Sequence, residues 1–116
     1  MPKSQKKVLV CGAGGFIGHH LVSCLKSQGY WVRGVDVKYP EFSPTDADEF
    51  WLLDLRRWEN CLQATRGVGE VYALAADMGG MGFISAHHAQ ILHNNALINI
   101  HTLEAAHLNG VKRYLY

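Results

Sequence analysis

Three glycines at every third position, Gly12, Gly15 and Gly18, join a β-branched run to a helical pattern. That junction restricts the fold more than any other feature of the chain. Lys7 to Cys11 reads as a short buried strand that stops at the first glycine. Phe16 to Gln28 reads as a helix, with Ile17, Leu21, Cys24 and Leu25 on one stripe and Gly29 as its stop signal. Gly12 allows a tight turn out of the strand. Gly15 lets backbone approach a pyrophosphate with no Cβ in the way, and Gly18 lets the helix lie close to the sheet. The N–H groups of the helix start then face the anion. A glycine triplet alone is a weak signal. A strand before it and a helix after it are the context it requires.

The same alternation continues to the end of the chain. Trp31 to Val37 reads as a second strand, and Lys38 to Ala47, with Pro40, Ser43 and Pro44, as a loop. Glu49 to Asp54 is a third strand, and Trp58 to Thr65 a short helix ending near Gly67. Glu70 to Ala76 is a fourth strand, followed by a glycine-rich loop from Asp77 to Gly82. A long helix from Ser85 to Leu108 stops at Asn109-Gly110, and Val111 to Tyr116 begins a fifth strand. Strand alternating with helix predicts an α/β fold, with parallel strands, right-handed crossovers and helices on both faces. The expected order is 3-2-1-4-5, with a ligand at the carboxyl ends of strands one and four. Asp36 ends strand two, about 20 residues past the glycines, where such folds carry the acid that binds a ribose 2′-hydroxyl. A carboxylate there repels a 2′-phosphate, which favours NAD over NADP.

Composition narrows the class. A chain of 116 residues, 48% apolar and 18% charged, suits one small globular domain. A net charge of +1 gives no field to recruit nucleic acid or an anionic membrane. No signal-peptide stretch follows the polar Met1 to Lys7, and Val8-Leu9-Val10 is far too short to span a bilayer. Three cysteines without C-x-x-C spacing suit reduced thiols in a cytoplasmic protein. Cys24 and Cys61, on apolar helix faces, are expected to be inert core thiols. The pairs His19-His20 and His87-His88 point their neighbours apart on a helix, and no metal-ligand spacing occurs, so no metal site is expected. Trp31, Trp51 and Trp58 are expected to pack.

Gly12-Ala13-Gly14-Gly15-Phe16-Ile17-Gly18 resembles the T-G-x-x-G-F-I-G pattern of the extended short-chain dehydrogenase/reductase family, with Cys11 where Thr is common. Asp54-Leu55 looks like that family's D-L pair, whose carboxylate binds the adenine amino group. Leu74-Ala75-Ala76 resembles its small-residue strand end beside the cofactor. Asn94-Asn95 with Leu103-Glu104-Ala105-Ala106 resembles its N-N-V…L-L-E-A-A helix, and Val111-Lys112-Arg113-Tyr114 its lead into strand five. The segment Ala75-Ala76-Asp77-Met78-Gly79-Gly80-Met81-Gly82-Phe83-Ile84 is similar to the loop of the branch that epimerises GDP-mannose at carbons 3 and 5. Asp48-Glu49-Phe50, Asp54-Leu55-Arg56 and Glu59-Asn60-Cys61-Leu62 agree with that branch.

The resemblance implies an NAD-dependent nucleotide-sugar epimerase. It implies cofactor contacts at Gly12, Gly15, Phe16, Ile17, Gly18, Asp36, Asp54, Leu55, Leu74, Ala75, Ala76, Met78 and Asn94, and sugar contacts at Gly79, Gly80 and Met81. It also implies a homodimer. In such enzymes hydride leaves carbon 4 of the hexose, a Cys and a Lys exchange the protons at carbons 3 and 5, and hydride returns. A Tyr-x-x-x-Lys pair opens the cycle. That pair is not found here: Tyr30, Tyr39 and Tyr72 have no Lys four residues on, and Tyr114 and Tyr116 end the sequence. The expectation is therefore an N-terminal NAD-binding domain, residues 1–116, cut within strand five, with no catalytic residue of its own. Two alternatives stay open: another nucleotide-sugar epimerase or dehydratase of the superfamily, and a stand-alone NAD-binding module without catalysis.

Overall fold

The computed structural model describes residues 6–41, 43–75 and 88–116. Five strands, β1 (Lys7–Cys11), β2 (Trp31–Asp36), β3 (Glu49–Leu52), β4 (Glu70–Ala73) and β5 (Arg113–Leu115), form one sheet in the order β3-β2-β1-β4-β5. Every pairing is parallel. The helices are α1 (Phe16–Ser27), α2 (Trp58–Thr65) and α3 (His88–Leu108). Fold class and strand order agree with the sequence reading.

Strand alternation sends successive side chains to opposite faces. Val8, Val10 and Val32 meet Val22 and Leu25 of α1 on one face. Leu9, Cys11, Val35 and Val71 meet Cys61 and Ala64 of α2 and Ile98, Ala105 and Ala106 of α3 on the other. Each fully buried Val or Leu is worth about 1.5–3 kcal/mol relative to leaving it in water. The two-sided cover is thus what holds a sheet with such short strands. Trp31, Trp51 and Trp58 pack at the margin of the second core, as expected. Among the described residues no helix is long and apolar enough to cross a membrane.

Strands two to five end or begin inside the bounds expected of them. Pairing of β2 ends at Asp36 with Leu52, where Leu53 N–H makes the last bond to the Asp36 carbonyl at 3.0 Å, so Val37 and Asp54 fall outside the strands. Pairing of β4 ends at Ala73 with Cys11, because β1 leaves the sheet at Gly12. One stripe is also corrected. The buried positions of α1 are Gly18, Val22 and Leu25, while Ile17 is 70% exposed and Cys24 is exposed. Cys24 is therefore no core thiol, whereas Cys61 is buried. The contact of Gly18 with the preceding turn orients the helix, and 100° per residue then carries Ile17 and Cys24 away from the sheet.

Arg33 locks the edge of the sheet to α2. Its side chain lies inside the fold and donates from Nη1 to the carbonyls of Ala64 (2.7 Å) and Arg66 (2.8 Å), and from Nε to Glu49 (3.0 Å). Its guanidinium stacks over Trp51 at 4.4 Å and Trp31 at 5.3 Å. The C-terminal carbonyls of a helix need donors from outside, and a cation is the favoured source. Arg33→Ala strips both carbonyls and leaves Glu49 unpaired. It is expected to cost about 3 kcal/mol and to lower the melting temperature by about 10 °C. A thermal melt showing a loss below about 1 kcal/mol would dismiss this account.

Candidate nucleotide site

The site is built where β1 leaves the sheet. Gly12 takes φ +83°, and a Cβ there would stand 2.8 Å from the Leu74 carbonyl carbon, so the turn runs tight against the end of β4. The N–H groups of Gly12 and Ala13 both donate to the Val35 carbonyl, at 2.8 and 3.2 Å. Gly15 N–H closes the turn on the Gly12 carbonyl at 3.1 Å. A Cβ on Gly18 would collide with that same carbonyl, which is why the helix packs so closely.

Gly15 differs from its neighbours. Its backbone is ordinary extended chain, φ −81° and ψ 171°, and a Cβ added there would meet nothing nearer than the Gly12 carbonyl oxygen at 3.5 Å. The fold therefore places no demand for glycine at this position. Gly15 is the N-cap of α1, where no side chain caps the helix and no acidic residue occupies the first turn. A helix start without capping groups presents donors and partial positive charge to whatever lies in front of it. Phe16 (75% exposed) and Ile17 flank it.

Asp36 stands beside this loop. Its Oδ2 accepts the Gly14 N–H at 2.9 Å, and its Oδ1 accepts the Val37 N–H at 2.6 Å. Gly14 is a residue that the sequence reading passed over as a spacer. A Cβ on it would collide with the Lys38 carbonyl and lie 3.1 Å from Asp36 Oδ2. The only sequence signal for this was the Gly14-Gly15 doublet. A cleft of about 310 Å³ opens against the loop, lined among others by Gly14, Gly15, His19, His20 and Lys38.

The remaining expected residues are distributed as follows. Asp54 lies just past β3, gripped by Arg56 through Nη2 (2.7 Å), Nε (3.0 Å) and the backbone N–H (3.0 Å). Those contacts hold its carboxyl below the usual carboxylate range. Leu55 is buried in the core, so its side chain is not offered to a ligand and only its backbone is. Leu74 and Ala75, just past β4, line a second cavity of about 260 Å³ with Asn95, Asn99 and Tyr116. There Asn99 donates to the Tyr116 hydroxyl at 2.9 Å, a pair the sequence reading did not single out. Asn94 is buried in α3. Ala76, Met78, Gly79, Gly80 and Met81 lie outside the described residues. Beneath the turn, burial pushes the Cys11 thiol well above its ordinary range, so it stays protonated and is no nucleophile.

Residues 8–116 match the model of the NAD dependent epimerase/dehydratase family. The chain is 48% identical over 117 aligned residues to GDP-mannose 3,5-epimerase 1 of Oryza sativa subsp. japonica, covering 99% of this chain and 31% of that protein. Among solved structures, a UDP-glucose 4-epimerase superposes with a TM-score of 0.81 at 26% identity, over 94% of this chain and 34% of that one. A structure of MoeE5 in complex with UDP-glucose and NAD superposes with a TM-score of 0.78 at 30% identity, over 93% of this chain and 34% of that one. The chain thus spans about a third of the length of the proteins it matches.

Proposed function

The chain belongs to the NAD dependent epimerase/dehydratase family, and on that footing we propose that it is the nucleotide-binding part of an enzyme that epimerises GDP-mannose at carbons 3 and 5. The observation that carries the nucleotide reading is Gly15. Its glycine is unnecessary to the fold and sits at the uncapped start of α1, beside the Asp36 carboxylate. A dinucleotide with its pyrophosphate in front of that helix start and its ribose hydroxyls at Asp36 accounts for all three facts. The sugar-nucleotide substrate follows from the likeness to the rice enzyme, which covers nearly the whole chain.

In this reading Gly12, Gly15, Phe16, Ile17 and Gly18 supply the turn and the backbone donors for the pyrophosphate, and Asp36 accepts the ribose hydroxyls. Asp54 and the backbone of Leu55 border the adenine. Leu74, Ala75 and Asn94 border the opposite end of the cofactor. Ala76 and Met78 for the cofactor, and Gly79, Gly80 and Met81 for the hexose, rest on the family resemblance. When bound, NAD supplies the hydride acceptor for oxidation at carbon 4. The residues of this chain bind and orient it. We extend the reading to residues 1–116 as one domain of a longer, cytoplasmic, homodimeric protein. Three unpaired thiols suit a reducing compartment. Leu92, Ile100 and Leu103, exposed along one side of α3, suit burial against a second copy.

The test is cofactor choice. Near neutral pH, NADH is expected to bind at least about tenfold more tightly than NADPH, because a 2′-phosphate would lie against Asp36. Fluorescence titration reads both affinities. Equal or tighter NADPH binding would remove the role given to Asp36, and failure to bind either would overturn the reading.

A further inference from the structure

The carboxyl edge of the sheet that carries Asp36 also carries Asp54, because Leu53 N–H bonds the Asp36 carbonyl where β3 ends. Asp54 is held there in two ways. Its backbone carbonyl accepts from Asn60 Nδ2 (3.0 Å) and from the Arg57 N–H (3.2 Å), so the turn into α2 fixes where the residue stands. Among the described residues, its carboxylate is held by Arg56. Oδ1 accepts from the Arg56 backbone N–H and from Nε, both at 3.0 Å, and Oδ2 accepts from Nη2 at 2.7 Å. A carboxylate offers about four acceptor positions, so these donors leave one open, on Oδ2. Arg56 is in turn anchored to α3. Its carbonyl accepts from His101 Nδ1 at 2.9 Å, which places the ring proton on that nitrogen. His101 itself stands edge-on to Trp58, ring centroids 5.7 Å apart. One line of contact thus runs from α3 through Arg56 to the Asp54 carboxylate.

We infer that Arg56 is a positioning residue that sets which purine the dinucleotide can carry, and that His101 keeps Arg56 in place. The inference rests on the nucleotide reading above, in which Asp54 borders the adenine. Adenine presents an amino N–H at carbon 6. Hypoxanthine presents a carbonyl oxygen there and carries its hydrogen on N1. A planar guanidinium fork fixes the carboxylate in one plane and leaves it a single direction of acceptance. In that direction the amino group donates, whereas the 6-oxo group sets acceptor against acceptor. The guanidinium also offsets the carboxylate charge, so a base laid over the pair removes less hydration than one laid over a bare anion. Without the fork the Asp54 backbone stays where Asn60 and Arg57 hold it, but the carboxylate is free to turn. It can then accept the N1–H of hypoxanthine, and the two bases become nearly equivalent.

The experiment titrates the full chain with NADH and with reduced nicotinamide hypoxanthine dinucleotide, read by fluorescence. The unmodified protein is expected to bind NADH about thirtyfold more tightly than the hypoxanthine analogue. In Arg56→Ala the ratio is expected to shrink to about threefold or less, chiefly through weaker NADH binding. Arg56→Lys keeps the charge but loses the fork, and should fall to the same range. It also carries the test if the alanine variant does not fold, which circular dichroism reports. His101→Asn keeps an N–H donor near the place of Nδ1 and should discriminate as the unmodified protein does. His101→Leu removes the donor and should lower the ratio to about tenfold or less. Equal binding of the two bases by the unmodified protein, or undiminished discrimination in Arg56→Lys, would overturn the positioning role and leave the nucleotide reading intact. So would a loss of affinity in the Arg56 variants that is the same for both bases, since that marks a merely structural contact. Undiminished discrimination in His101→Leu would overturn the part given to His101. Failure of the unmodified protein to bind either dinucleotide would overturn both the inference and the reading beneath it.

Discussion

Gly15→Val is expected to weaken NADH binding by more than about a hundredfold while leaving the fold in place. The two halves of that expectation have separate causes. A Cβ at Gly15 finds nothing within van der Waals contact except one carbonyl oxygen at 3.5 Å, and the backbone there is extended, a conformation that suits a β-branched residue. The folded chain can therefore accept valine. The isopropyl group would instead fill the space in front of the helix start, where the anion must approach to reach the N–H donors. Gly18→Val is the contrasting variant. Its Cβ would collide with the Gly12 carbonyl, so it should fail by unfolding rather than by losing the ligand. A titration and a thermal melt on both proteins separate the cases. If Gly15→Val bound NADH within about threefold of the unmodified protein, the turn would not be the dinucleotide site.

Residues 1–116 alone are expected to exchange no proton of GDP-mannose and to form no NADH from it. Two of the three thiols, Cys11 and Cys61, are buried and pushed up in pKa by that burial, so neither can serve as the acid or base of a proton exchange. Cys24 lies on the outer side of α1, turned away from the sheet. No Tyr-x-x-x-Lys pair occurs in the sequence. General acid–base groups contribute about 10²–10⁴-fold each, so the absence of several removes the reaction from measurement. Deuterium incorporation at carbons 3 and 5 in deuterated water is the readout. Incorporation by residues 1–116 alone would require an active site within those residues. A longer protein carrying this domain should incorporate deuterium at both carbons. If it does not, GDP-mannose is not its substrate.

Much of the architecture was legible before the structure, because it depends on signals of short range. Short β-branched runs such as Val8 to Val10, separated by helical patterns and glycine stops, dictate alternating elements, and a crossover between parallel strands has one favoured hand. The order β3-β2-β1-β4-β5 follows from those constraints. The glycine turn and Asp36 were legible for the same reason, since turn chemistry and the distance from turn to acid are written along the chain.

What each of those residues does within the fold was decided by contacts between distant parts of the chain. The triplet Gly12, Gly15 and Gly18 is uniform in sequence. Yet the structure makes the first and last necessary to packing and leaves the middle one without a structural reason, because Leu74 and Ala75 crowd the first, the turn itself crowds the last, and neither crowds the middle one. Gly14 looked like a spacer until the Lys38 carbonyl, 24 positions on, was found to occupy the volume of its missing Cβ. Arg33 read as an ordinary strand residue, and its service to the end of α2 depends on carbonyls 31 and 33 positions away. Cys24, expected in the core, is exposed because the rotation of a helix about its axis is set by its closest contact with the sheet, while Leu55, in the turn between β3 and α2, is buried by residues of the second core. Periodicity marks that an element has a face. Which face is buried, and what a side chain meets there, is determined only when residues far apart in sequence are packed to near-crystalline density.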